Sequence, residues 1–257
     1  MASVAGRTVL ITGGADGLGA ATTRRLVGRG ANVTIVDVQA DKANALAAEL
    51  GDRALACVAD VRSLLEVEAA VAATVDRFGS IEAVIAAAAI DTIVPLADIT
   101  EEAFVRTLDI DLIGCWRTAR AALPELRNAR GYVVFVSSAA AVIQTPYQGA
   151  YQVSKAGLGA LANTLRAEER RNGVGVGLAT LGGFDTEHAR RSMADPLMQE
   201  VLRKVPPALQ KRRAVEEAAK AFEEMIVRRT RQRVVPSSQR LFLLAPGLAQ
   251  RLSDRSM

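Results

Sequence analysis

The sequence predicts an α/β fold: a single doubly wound parallel sheet of about seven strands with helices on both faces. Three observations carry that expectation. Short apolar, β-branched runs alternate with longer segments of helical spacing from Thr8 onward. The runs lack a polar alternation, as strands covered on both faces do. No repeat, low-complexity linker or domain boundary interrupts the pattern before about residue 182, so one domain over 1–257 is expected.

Taken in order, Thr8–Ile11 is the first strand and runs directly into glycines. Ala20–Arg29 has helical spacing, Ala31–Asp37 is the second strand and Asp41–Leu50 the second helix. Ala54–Val58 is the third strand, and Leu64–Phe78 is a helix stopped by Gly79. Ile81–Ala87 is the fourth strand. Thr100–Leu126 holds one long helix or two joined ones, with Thr100-Glu101-Glu102 as its cap region. Gly131–Val136 is the fifth strand, Tyr151–Gly173 contains a helix, and Val174–Leu181 is the sixth strand. Next, Phe184, Met193, Leu197, Met198, Val201 and Leu202 recur at roughly helical spacing and end at Pro206-Pro207. They form either an apolar lid over a pocket, within a segment 184–213, or a helix packed on the core. Val215, Ala218, Ala219, Phe222, Met225 and Ile226 line one face of a further helix. Val234-Val235 is a candidate seventh strand.

Composition narrows the function classes. Half the chain is hydrophobic and its mean hydropathy is positive, which excludes a disordered protein. Two cysteines, Cys57 and Cys115, exclude a disulfide framework, and the single His188 excludes a multi-histidine metal centre. No metal is expected. Met1–Gly6 is too short for a targeting signal ahead of the first strand, and the longest apolar stretches, such as Ala83–Ile90, are far short of a membrane span. A cytoplasmic setting is expected.

Charge is uneven. Residues 203–257 carry 13 Lys and Arg against 5 Asp and Glu, while the remainder of the chain balances to −4. The arginines interleave with helical spacing and aromatics are sparse, so a solvated helix face is favoured over a nucleic-acid partner. The tail 229–257 ends in an apolar and basic stretch, Arg240-Leu241-Phe242-Leu243-Leu244, soon followed by Pro246-Gly247. Packing within the molecule or on a sister subunit is favoured there over a membrane surface.

Two local patterns point to chemistry. Thr12-Gly13-Gly14-Ala15-Asp16-Gly17-Leu18-Gly19 lies between the first strand and the first helix, the context of a dinucleotide-binding loop in a Rossmann fold. Glycine permits a tight turn and close approach to a pyrophosphate, and the helix N-terminus offers N–H groups and a positive dipole end. Asp37 ends the second strand, where a carboxylate can accept hydrogen bonds from ribose hydroxyls and would repel a 2′-phosphate. Residues 14–16 hold no cation to offset that repulsion, and Asp16 adds a negative charge; NAD is favoured over NADP. A capping or turn aspartate is the other reading of Asp37. Asp60, after the third strand, bonds an adenine edge or is a turn residue. The second pattern is Tyr151-Gln152-Val153-Ser154-Lys155. On a helix, Tyr and Lys four apart share a face, and the ammonium is expected to lower the phenol's pKa into a range useful for proton exchange with an alcohol.

In order and spacing these elements resemble the short-chain dehydrogenase/reductase family, over residues 7 to about 190. The resemblance rests on Thr12-Gly13-x-x-x-Gly17-x-Gly19, Asp60-Val61, Val136-Ser137-Ser138 and Tyr151-x-x-x-Lys155, with Ser138 thirteen residues before Tyr151. It implies reversible hydride transfer between NAD and a secondary alcohol or ketone of a hydrophobic small molecule. Tyr151 would be the acid/base. Lys155 would lower its pKa and bond the nicotinamide ribose, and Ser138 would hold the substrate oxygen; Ser137 is the weaker candidate. Gly13, Asp16, Gly17, Leu18, Gly19, Asp37, Asp60, Val61, Ala87, Tyr151, Lys155 and Thr186 would contact the cofactor. A homodimer or homotetramer through the Thr100–Leu126 and Tyr151–Gly173 helices is implied as well. An NADP-dependent ketoreductase and a catalytically impaired dinucleotide-sensing protein are the alternatives. Three departures stand out. Ala86–Ala89 replaces Asn-Asn-Ala-Gly. Asp111 replaces an asparagine that anchors a relay water, and its charge is expected to disturb Lys155. Leu181-Gly182 replaces Pro-Gly and is expected to loosen the following loop.

Overall fold

The computed structural model of the chain describes residues 3–205, 210–240, 247, 250 and 251. Its strands are β1 (Thr8–Thr12), β2 (Asn32–Asp37), β3 (Ala54–Val58), β4 (Ala83–Ala86), β5 (Tyr132–Ser138), β6 (Gly175–Leu181) and β7 (Gln232–Val235). All pair in parallel, in the spatial order β3-β2-β1-β4-β5-β6-β7. The helices are α1 (Gly17–Gly28), α2 (Ala40–Leu50), α3 (Leu64–Phe78), α4 (Glu101–Leu108), α5 (Gly114–Asn128), α6 (Gly149–Glu169), α7 (Glu187–Ala194), α8 (Pro196–Lys204) and α9 (Val215–Arg228).

The two faces follow from the two-residue period of the strands. Val9 and Ile11, Val33 and Ile35, and Val134 meet Leu26 of α1 and Phe222 and Met225 of α9. Leu10, Val84, Val133 and Phe135 instead meet Ala119 and Ala122 of α5 and Leu158 of α6. Each such fully buried large side chain stabilises the fold by about 1.5–3 kcal/mol relative to exposure. Helices therefore cover both faces, as the continuous apolar strand runs require. After β3 the chain crosses over β1 to start β4 on its other side, and the reversal opens a crevice beyond the carboxyl ends of β1 and β4.

Local chemistry sets the element ends. Helix α1 starts three residues earlier than its apolar spacing suggests, because Asp16 caps it by accepting the Gly17 N–H at 2.7 Å. Helix α3 is capped by Ser63 and stops at Gly79, whose φ of 85° suits a left-handed terminus. Strand β4 is shorter than expected, since the Ala87 N–H leaves the ladder to donate to the Thr12 hydroxyl at 3.2 Å. Thr100–Leu126 resolves into α4 and α5 joined by a π-helical turn, Asp109–Ile113. Gly114 follows that turn, and a Cβ there would lie 2.7 Å from a Val61 methyl.

The segment after β6 differs from the apolar-lid expectation in two respects. Phe184 is 3% exposed and packs in the core, so it belongs to the second reading. Asp195 splits the remainder into α7 and α8 by capping α8 at the Leu197 N–H, with Pro196 as its first residue. The Leu181–Gly182 loop is not loosened. Leu181 is buried in register with Ser138 and Val235, the Gly182 N–H donates to Val235, and Phe184 bridges to Arg213. Pairing with β7 and the 212–213 strip supplies the restraint that proline would.

Pro206-Pro207 and the Leu241–Leu244 run lie outside the described residues. Several arginines near the C-terminus pair internally: Arg229 donates to the Gly131 and Gly173 carbonyls at 2.8 and 2.6 Å, and Arg233 meets Glu224 at 2.8 Å. Gln250 pairs through its side-chain amide with both backbone groups of Gln144. Among the described residues, no helix is long and apolar enough to cross a membrane, and no group of three or more His, Cys, Asp or Glu could hold a metal. Cys57 and Cys115 are free thiols, and burial pushes the Cys115 thiol up to about 12.

Candidate active site

At the carboxyl ends of β1, β2, β4 and β5 lies a groove of about 570 Å³. Gly13, Asp16, Gly17, Leu18, Gly19, Asp37, Asp60, Val61, Ala87, Ser138, Tyr151, Lys155 and Thr186 all line it. Asp111 does not; it sits behind Lys155 with no solvent exposure. Residues that sequence reasoning did not single out here include Gln39, Arg62, Arg106, His188 and Arg191. The signal for the last two was available: three residues apart on α7, they share one helix face.

The glycine loop is shaped for close backbone approach. Gly13 has φ +68°, and a Cβ on it would lie 2.9 Å from the Ala88 Cα; a Cβ on Gly19 would lie 1.9 Å from the Gly13 carbonyl oxygen. The N-terminus of α1 presents its N–H groups and dipole to the groove, as an anion site requires.

Three carboxylates around the loop have protein partners. Asp37 is 8% exposed, and its two oxygens accept the Ala15 N–H at 3.1 Å and the Gln39 N–H at 3.0 Å. It is a turn-organising aspartate that also faces the groove. Asp16 is not an unopposed negative charge. Lys42 of α2 pairs with it at 2.7 Å and reaches Glu187 at 3.7 Å. Burial raises the Asp16 pKa, but Lys42 and the Gly17 N–H outweigh it and the net direction is down. Asp60 is held by Arg62, which donates to it at 2.6 Å and drives its pKa below the usual range.

Tyr151 and Lys155 lie one turn apart on α6, with Nζ 5.3 Å from the ring centroid. Ser138, at the end of β5, acts on the Tyr151 phenol to lower its pKa, and its hydroxyl also caps the following turn by accepting the Ala140 N–H at 3.2 Å. Ser137 points elsewhere, donating to the Lys155 carbonyl at 2.8 Å, and so pins β5 to α6. The expected fall in the Tyr151 pKa is reversed. Burial raises it, and Lys155 and Ser138 lower it by less than burial, Asp111 and Asp91 together raise it.

Burial is the largest cause; Asp111, which adds to it, lies behind Lys155. Its Nζ is 3.4 Å from Asp111 Oδ2 and 3.4 Å from the Val136 carbonyl, and it is 3% exposed. Burial alone would lower the ammonium's pKa, but Asp111 and the other facing groups push it up to about 12. On Asp111 burial is the larger effect, and its pKa moves up despite Lys155 and the Ile90 N–H. Lys155 therefore stays cationic at neutral pH, facing the Asp111 carboxyl group. Thr186 caps α7 at the Ala189 N–H and sits over Gly17, where a Cβ would meet its methyl at 3.2 Å.

Comparisons with known proteins agree with this architecture. A family model described as short chain dehydrogenase matches residues 7–196. A peroxisomal 2,4-dienoyl-CoA reductase of Saccharomyces cerevisiae is 35% identical over 209 residues, covering 78% of this chain and 72% of the relative. A 2,5-dichloro-2,5-cyclohexadiene-1,4-diol dehydrogenase of Sphingobium indicum is 32% identical over 197 residues, covering 75% and 78%. Among solved structures, a 3-ketoacyl-(acyl-carrier-protein) reductase from Brucella melitensis, complexed with NADH, superposes with TM-score 0.81 at 21% identity, covering 91% of this chain and 98% of that one.

Proposed function

Because the chain belongs to the short-chain dehydrogenase family, we propose that it is an NAD-dependent oxidoreductase acting on a secondary alcohol or ketone of a hydrophobic small molecule. The observation that supports this most is the convergence of Ser138, Tyr151 and Lys155 on the groove that the glycine loop also lines. The residues fit a dinucleotide: a side chain at Gly13 or Gly19 would collide with the Ala88 or Gly13 backbone, so glycine is what allows the tight turn a pyrophosphate-binding loop needs. A bound nicotinamide supplies the hydride acceptor or donor. Tyr151 takes the hydroxyl proton of the alcohol as phenolate and returns it to the ketone oxygen as phenol. Ser138 donates a hydrogen bond to that oxygen as charge develops. Lys155, kept cationic, stabilises the phenolate and is placed to bond the ribose. Helices α7 and α8 would cover the substrate, with Thr186 at the start of α7 lying over Gly17 of the glycine loop.

Cofactor choice rests on Asp37, since Lys42 cancels Asp16. The NADP reading draws its support from that same Lys42, but the ammonium is already shared between Asp16 and Glu187. Wild-type protein is expected to bind NAD more tightly than NADP by fluorescence titration. Asp37→Asn keeps an acceptor for one of the two N–H groups that Asp37 holds and should narrow the preference at least about tenfold, since like-charge juxtaposition costs several kcal/mol. An NADP preference in the wild type refutes the role of Asp37. The sensing-protein reading is distinguished by turnover: it predicts dinucleotide binding with no reduction by any secondary alcohol. The diol named for the Sphingobium relative makes cyclic diols the first panel to screen.

A homodimer or homotetramer is part of the proposal. Half-exposed Val105, Ile113 and Trp116 along α4 and α5, and Val153 on α6, are apolar surface available for burial. Trp116→Glu with Val153→Glu should lower the mass measured by sedimentation equilibrium; an unchanged mass places the interface elsewhere.

A further inference from the structure

Asp111 stands in the π-helical turn between α4 and α5, which brings its carboxylate against α6. One oxygen accepts the Ile90 N–H at 2.8 Å; the other lies 3.4 Å from Lys155 Nζ and 3.5 Å from Ser154 Oγ. Both charged groups are shut off from solvent, at 0% and 3% exposure. We propose that Asp111 is a positioning residue for Lys155, which holds the ammonium in place and takes up charge that would otherwise act on Tyr151. The inference rests on the reading of Tyr151 as the acid/base.

The groups facing this centre come from every element around it. Helix α6 contributes Tyr151, Lys155 and the Ser154 hydroxyl, and β5 the Ser138 hydroxyl and Val136 carbonyl. Helix α5 contributes the Cys115 thiol. The loop after β4 contributes Asp91, which acts on both Tyr151 and Asp111 and has one oxygen bonded to Gln148 at 2.7 Å and the other without a hydrogen-bond partner. Of the charged groups acting on the phenol, one is an ammonium and two are carboxylates. The two carboxylates oppose Lys155 and favour the neutral phenol, and burial, the largest effect, acts in the same direction as they do. Alcohol oxidation needs the phenolate, so it should gain rate only at higher pH than a site whose lysine faces no carboxylate. Ketone reduction needs the phenol and should persist further into alkaline conditions.

Asp111→Asn tests this, because the amide keeps the shape and an oxygen for the Ile90 N–H while removing the charge. With NAD and cyclohexane-1,2-diol as probes, the midpoint of the oxidation pH profile should move down by about half a unit or more, as expected for loss of a nearby unit charge at a protein-like dielectric. A turnover-independent reading is the phenolate absorbance of Tyr151, taken as the difference between each protein and its Tyr151→Phe counterpart; it should move down by the same amount. An unchanged or upward midpoint in that titration, in protein with an intact thermal transition, overturns the proposal, as does a shift in rate alone. If the asparagine variant does not fold, Asp111→Ser replaces it with the same expectation. If wild type reduces no NAD with any alcohol, the functional reading fails while the titration still decides on Asp111.

Discussion

Tyr151→Phe is expected to lower the rate of alcohol oxidation by about 10²–10⁴-fold, the span contributed by a positioned acid/base. Phenylalanine keeps the ring that packs near Lys155 and removes only the hydroxyl. Affinity for NAD should stay within about twofold, because the ribose and pyrophosphate contacts proposed for Lys155 and the glycine loop survive; a factor of two is below 0.5 kcal/mol. The paired measurement of kcat with saturating alcohol and of the NAD dissociation constant checks both halves. Loss of rate together with loss of binding would mean that the Tyr151 hydroxyl itself carries the residue's contact with the cofactor.

The second large effect is on stability. Lys155→Met leaves the Asp111 carboxylate at 0% exposure with no cation, and removing one partner of a buried pair costs about 3–5 kcal/mol. For a chain of this size that lowers the melting temperature by roughly 10 °C. The double variant Lys155→Met with Asp111→Leu should recover most of the loss, because two apolar groups replace two charges. Calorimetry on the four proteins of the cycle measures the coupling. A single variant as stable as wild type would mean that the pair is not formed in solution. Neither variant should oxidise alcohol at a useful rate.

Much of this architecture was legible in the sequence because buried parallel strands are written as continuous apolar runs. Ala54–Val58 and Leu64–Phe78 emerged with the ends their residues implied, the latter because Ser63 and Gly79 cap it chemically. Ends governed by a single long-range bond were not legible: β4 stops where Ala87 turns to Thr12, a partner 75 residues away. The candidate site residues other than Asp111 gather on one groove because the family order of motifs maps onto successive strand ends. The electrostatics were harder to read. Asp16 looked like unopposed charge because Lys42 lies 26 residues on, across the α1–α2 packing. Asp111 was visible as a substitution, yet its contact with Lys155 depends on a π-helical turn that no local pattern announces. The sequence leads one to expect a fall in the phenol's pKa; burial of Tyr151, with Asp111 adding to it, turns the direction upward. Leu181 misled for a similar reason, since the restraint on its loop is supplied by β7 and Arg213.

The most direct test of hydride transfer follows the hydrogen itself. Cyclohexane-1,2-diol carrying deuterium on both carbinol carbons is incubated with NAD and the wild-type protein, and the reduced dinucleotide is analysed by mass spectrometry. The proposed function predicts reduced dinucleotide one deuterium heavier, and almost none formed by Tyr151→Phe. Reduced dinucleotide without deuterium, or equal yields from both proteins, would contradict it.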